Sequence, residues 1–104
     1  MDITIKRIGL DGLYVKASGR LDLDNSVAYG AEIKDSIEDS EEIITNVVLD
    51  FSEITFISSF GLKVILELYK QLKDQSGTLK LSGVSEQIKA SFKMVGFDKF
   101  LVIE

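Results

Sequence analysis

Apolar and polar positions alternate at the start of the chain. Ile3 and Ile5 form one run and Leu13, Val15 and Ala17 another, with turn-forming residues from Gly9 to Gly12 between them. A period of two on either side of a glycine-rich break predicts a β-hairpin. After Gly19 the period lengthens. The stretch LDLDNSVAYGAEIKDSIEDSEE predicts a helix that Asp24, Asn25 or Ser26 can cap, with a loose apolar face of Val27, Ala28, Ala31, Ile33 and Ile37. Gly30 lies inside that helix, where glycine costs about 1 kcal/mol relative to alanine. Either this helix is weak or something packs closely against the glycine.

Ile43 to Phe51, IITNVVLDF, is nearly continuous in apolar and β-branched residues, the composition of a central strand covered on both faces. Leu62, Ile65, Leu66, Tyr69 and Leu72 then recur at helical spacing, with Lys63, Glu67, Lys70 and Lys73 on the wetter side and Gly77 as the stop. Thr78 to Leu81 reads as a short strand. Ser85 is placed to cap a third helix carrying Ile88, Phe92 and Val95 on one stripe, and Gly96 ends it. FLVIE closes the chain as a last strand or extended tail. The order strand, strand, helix, strand, helix, strand, helix, strand predicts an α/β fold. Its mixed sheet has four to five strands, with the helices packed mainly on one side. No repeat, low-complexity tract or linker interrupts the chain, so residues 1–104 are expected to form one domain.

Composition narrows the function. Seventeen acidic against twelve basic side chains give a formal charge of -5. That balance argues against nucleic acid or an anionic membrane as partner and favours a basic protein surface. The chain has neither cysteine nor histidine. Disulfides, thiolate nucleophiles and cysteine-ligated metals are therefore excluded, and so are the commonest general base and the usual zinc ligands. An independent enzyme becomes a poor reading, and no cofactor is implied. The amino terminus, MDITIKRIGL, lacks the layout of a signal peptide. No apolar run approaches the roughly 18 residues of a membrane span. The expected location is the cytoplasm, with no direct membrane insertion.

The stretch TFISSFGLKVILELYKQL, residues 55–72, sets two adjacent serines where a helix begins. Ser58 or Ser59 can cap it by accepting a backbone amide, a contribution of about 1 kcal/mol. The free amides and the dipole at a helix N-terminus also suit an anion, so a phosphate added here would be tolerated by the fold. It would place roughly -1.5 to -2 charges on the surface. A partner docked over the site would meet a buried dianion, and about 2.7 kcal/mol already weakens binding a hundredfold.

The segment LDFSEITFISSFGLKVIL, with GRLDLDNS before it and MVGF near the end, resembles the STAS domain family and within it the bacterial anti-sigma factor antagonists. In that family a motif of the type Asp-Ser-Ser-Gly-Leu or Asp-Ser-Ala-Gly-Leu opens an amphipathic helix. The resemblance covers essentially the whole chain and places the phosphorylated serine at Ser59, with Ser58 as second choice. Gly61 and Leu62 match the Gly-Leu, and Asp22 falls on the aspartate facing the phosphosite. The partner surface it implies comprises Asp22, Asp24, Ser58, Phe60, Gly61, Leu62 and Lys63. Its implied partners are an anti-sigma factor with serine kinase activity, which binds the unphosphorylated protein, and a serine phosphatase that resets the switch. Two positions depart from the pattern: Ser58 stands where aspartate is usual, and Phe60 where a small residue is usual. The aromatic ring either hinders a kinase or anchors a partner.

Other readings attach to the same residues. Asp22 and Asp24 could form a metal pair, but two loop carboxylates without a third ligand are better read as caps and as an acidic rim around Ser59, so no metal site is expected. Asp50 and Glu53 either extend that rim or fix the loop by hydrogen bonds, and Phe56 and Ile57 read as core. Gly77, Gly83 and Gly96 make no phosphate loop. A different class of function is an accessory STAS subunit of a membrane transporter or scaffold, with Ser59 only a cap. A third is a small-molecule binder or enzyme built from Asp22, Asp24 and Tyr14 or Tyr69.

Overall fold

A computed structural model describes residues 1–104. Strands β1 (Asp2–Ile8) and β2 (Gly12–Leu21) form the expected hairpin. Helix α1 (Leu23–Glu38), strand β3 (Asn46–Ile57), helix α2 (Ser59–Asp74), strand β4 (Thr78–Ser82) and helix α3 (Glu86–Met94) follow. A 3₁₀ turn at Phe97–Lys99 leads into β5 (Val102–Ile103). The five strands lie side by side in chain order, β1 antiparallel to β2 and every later neighbour parallel. Each parallel step needs a crossover helix, and the right-handed sense of such crossovers puts all three helices on one face.

Burial follows that arrangement. Leu13, Val47 and Leu79 lie level across the sheet and are buried, as are Val15, Leu49 and Leu81. Between these rows Tyr14, Val48 and Lys80 point to the opposite face and are half-buried. The central strand is therefore covered on one face and not on two. Its continuous apolar reading came partly from Ile43, which precedes the strand and is 71% exposed. Under the helices Tyr29, Phe51 and Phe92 form an aromatic row, with ring centroids 6.5 and 6.2 Å apart.

Helix α1 is capped two residues before the first of its expected caps. Its cap is Asp22, whose carboxylate accepts the Asn25 amide at 3.0 Å, and not Asp24, Asn25 or Ser26. The buried stripe is Ser26, Tyr29, Ile33 and Ile37, whereas Val27, Ala28 and Ala31 face outward. Of the two readings of Gly30, the close neighbour is the one found: a Cβ there would lie 2.8 Å from Val64 Cγ1 on α2. The glycine lets the two helices approach.

Helix α2 buries Gly61, Ile65, Leu68 and Leu72, while Leu62, Leu66 and Tyr69 are half-buried. Its C-terminal stop is shared. Ser76 takes the left-handed conformation at φ 58°, and Gly77 returns its amide to the Leu72 carbonyl at 2.7 Å with no room for a side chain against Thr45. Ser85 caps α3 through the Ile88 amide at 3.2 Å, and Gly96, at φ 80°, ends that segment. Ile88 and Phe92 are buried as expected, but Val95 is 48% exposed.

Candidate functional site

The site is built by the ends of β2 and β3. Leu21 and Ile57 are register partners in the parallel pair, so the residues that follow them, Asp22 and Ser58, begin α1 and α2 side by side. The Ser58 amide and hydroxyl both donate to the Leu21 carbonyl, at 2.9 and 2.8 Å, and Ser58 Oγ accepts the Gly61 amide at 3.2 Å. Two helix N-termini thus open on the same end of the sheet, where their dipoles favour negative charge.

Within this frame the two serines divide. Ser58 is half-buried and makes both capping contacts, while Ser59 is the first helical residue and is exposed. A group attached to the Ser59 oxygen enters solvent beside the free amides of the first turn. Lys63 stands one turn further along α2 and is also exposed. Phe60 projects from the same turn, 50% exposed, and lines a groove of about 620 Å³ between α1 and α2 together with Val27, Gly30, Lys63 and Val64. Leu23 and Val27, on the first turns of α1, are 49% and 63% exposed. Exposed apolar side chains therefore lie on the first turns of both helices.

The remaining expected residues fall into three groups. Asp22 and Asp24 lie at the α1 N-terminus, Asp22 occupied as the cap and Asp24 exposed in the first turn. No group of three or more acidic residues gathers as a metal site. Of the expected contacts Gly61 and Leu62, the first is buried and the second half-buried. A Cβ on Gly61 would fall 2.6 Å from Ile57 Cγ1 and 3.1 Å from Leu21, so this glycine is the point where α2 meets the sheet, and Leu62 packs against the core. Tyr14 lies on the uncovered sheet face and Tyr69 beside Phe100, with centroids 4.8 Å apart, so neither joins Asp22 and Asp24 in a catalytic cluster.

Asp50 and Glu53 are held on the sheet by local bonds. Asp50 accepts the Tyr14 hydroxyl and the Ser52 amide, and Glu53 pairs with Lys16 at 3.7 Å. Burial alone would raise the Asp50 carboxyl, but the bonds from Tyr14 and Ser52, with Lys16 nearby, outweigh it and hold the group below the usual carboxylate range. The same bond to Asp50, then desolvation and the Asp50 charge, raises the Tyr14 phenol.

Phe56, expected in the core, is exposed, and the Arg20 guanidinium lies 4.1 Å from its ring centroid. Sequence reasoning missed this pair because β3 carries two bulges opposite β2. Lys16 pairs with Asp50 but Ser18 with Glu53, and Gly19 with Ile54 but Arg20 with Phe56. Each extra residue turns the following side chains to the other face.

Three comparisons bear on this geometry. The STAS domain family model matches residues 3–104. BtrV of Bordetella bronchiseptica, named as a candidate anti-sigma factor antagonist, is 31% identical over 93% of this chain and 80% of its own. The anti-sigma-B factor antagonist of Listeria monocytogenes is 26% identical over 100% of this chain and 89% of its own. Among solved structures, the anti-sigma factor antagonist SpoIIAA of Bacillus has the same fold. Its unphosphorylated form superposes with a TM-score of 0.78 at 16% identity, over 99% of this chain and 87% of its own. Its phosphorylated form gives 0.76 at 17% identity, over 99% and 91%. With its five-stranded mixed sheet, three helices and a family match running nearly end to end, this chain belongs to the STAS domain family and is similar to members named anti-sigma factor antagonists.

Proposed function

We propose that this protein is a non-catalytic regulator that binds an anti-sigma factor with serine kinase activity through the paired N-termini of α1 and α2, and is released when Ser59 is phosphorylated. The observation that carries the reading is the division between the serines: Ser58 holds the helix, leaving Ser59 exposed beside Phe60. A phosphoryl group on Ser59 is compatible with the fold because it sits at the positive end of α2. It alters what a partner meets without requiring the domain to rearrange.

Phe60, Leu23 and Val27 supply the apolar centre of the proposed interface, and Asp24 its acidic rim. A new dianion in the middle of that centre is desolvated on docking and left unpaired, which destabilises the complex. The acidic balance of the chain suits a basic partner surface. A serine phosphatase acting on Ser59 would restore binding.

The test is a calorimetric titration of the chain with a purified serine-kinase anti-sigma factor from the same organism. The expected result is a one-to-one complex that Ser59→Glu weakens and Ser59→Ala preserves. Binding of equal strength by all three forms would leave a constitutive STAS subunit as the better description.

A further inference from the structure

The sheet has two outer edges. β5 is only two residues long, but β1 is a seven-residue strand whose second edge pairs with nothing. Unpaired amides and carbonyls on a strand of this length form a template for another strand. Ile3 and Ile5 on its helix-facing side are only partly buried and pack against the margin of the core. No proline or bulge interrupts β1, which pairs with β2 in unbroken register from Ile8↔Gly12 to Asp2↔Ser18.

We propose that β1 is a self-association edge, on which β1 of a second copy adds antiparallel to extend the two sheets into one of ten strands. The charge pattern selects the occupant and the register. With Thr4 opposite Thr4 across a two-fold axis, Asp2 of each copy faces Lys6 of the other on the open side of the sheet, and Ile3 faces Ile5 on the helix side. Both contacts occur twice by symmetry. Centring on Ile5 instead would give Asp2 no cation and set Ile3 against Arg7. The Arg7 guanidinium is already bound to the Leu10 carbonyl at 2.7 Å and to Ser40 Oγ at 3.1 Å. The Thr4-centred register therefore matches charge with charge and isoleucine with isoleucine.

This inference does not depend on the proposed function. β1 reaches β2 only as far as Ser18, short of Leu21, where α1 and α2 begin.

The experiment is sedimentation equilibrium of the full chain over a concentration series, with circular dichroism to establish that each variant is folded. A reversible monomer–dimer equilibrium is expected. Lys6→Asp, which sets Asp2 against a second acid in both symmetric contacts, should weaken dimerisation by about tenfold. The double reversal Asp2→Lys with Lys6→Asp should restore it. A chain that stays monomeric at every concentration overturns the proposal. So does a dimer that Lys6→Asp leaves unchanged, or one that the double reversal fails to restore.

Discussion

The Ser58 hydroxyl donates to the carbonyl oxygen of Leu21 at 2.8 Å while accepting the amide of Gly61 at 3.2 Å. One side chain thereby ties the end of β2, the end of β3 and the first turn of α2 together. Its neighbour Ser59 has no part in these contacts and is exposed.

Removal of the two hydroxyls should therefore have unequal consequences. Ser58→Ala loses the cap and leaves the Gly61 amide without its acceptor, and should destabilise the domain by about 1–2 kcal/mol. Ser59→Ala should stay within about 0.5 kcal/mol of the parent. Urea denaturation of the two variants checks this, and equal losses would contradict the assignment of the cap.

Gly30 and Val64 should behave as a coupled pair. Alanine is the better helix former, yet a Cβ on Gly30 would approach Val64 Cγ1 to 2.8 Å, and β-branched valine has little rotamer freedom to yield. Gly30→Ala should cost about 1–3 kcal/mol through overpacking. In Val64→Ala the same change should be nearly neutral, so a double-mutant cycle should give a coupling of about 1 kcal/mol or more. An additive cycle would mean that the contact between α1 and α2 is looser than described.

Tyr14 and Asp50 should shape both ends of the stability profile against pH. Asp50 titrates below its ordinary range in the folded chain, so its contribution is complete above about pH 4 and is lost as pH falls through the depressed folded value. Tyr14 titrates above its ordinary range, so its contribution is complete below about pH 10 and is lost as pH rises through the elevated folded value. Tyr14→Phe should reduce stability at neutral pH and flatten both limbs. Chemical-denaturation midpoints recorded across pH for parent and variant measure this directly, and two parallel curves would refute it.

Phe60 should act as an anchor in the proposed interface. Phe60→Ala is expected to weaken binding to the anti-sigma factor by about tenfold to a hundredfold, with little effect on the half-exposed side chain's own domain. If Phe60→Ala instead left affinity intact and accelerated phosphorylation of Ser59, the ring would be an obstacle to the kinase and not a contact.

Much of this architecture was legible in the pattern of residues. The hairpin, the α2 stripe, the Ser85 cap and the Gly96 stop are local features with one physical solution each. Gly30 left two readings open, a weak helix or a close neighbour, and Val64 decides for the second. What could not be read was set by tertiary context. Counting back from Ile37 and Ile33 by helical steps reaches Tyr29 and Ser26, but Val27, Ala28 and Ala31 offered a competing apolar face that no neighbour covers. Phe56 was misplaced because bulges in β3 are invisible without its partner strand. Within the candidate site, the two serines were evident from sequence, while their division of labour depended on the Leu21 carbonyl, 37 residues away from Ser58.

The most direct test of the central claim is to incubate the purified chain with ATP and a lysate of its source organism, then determine intact mass and locate added phosphate by peptide fragmentation. The account predicts a single phosphate on Ser59, absent from Ser59→Ala and retained by a folded Ser58→Ala. Phosphate on Ser58, or none at all after a known phosphoacceptor in the same lysate had reacted, would contradict it.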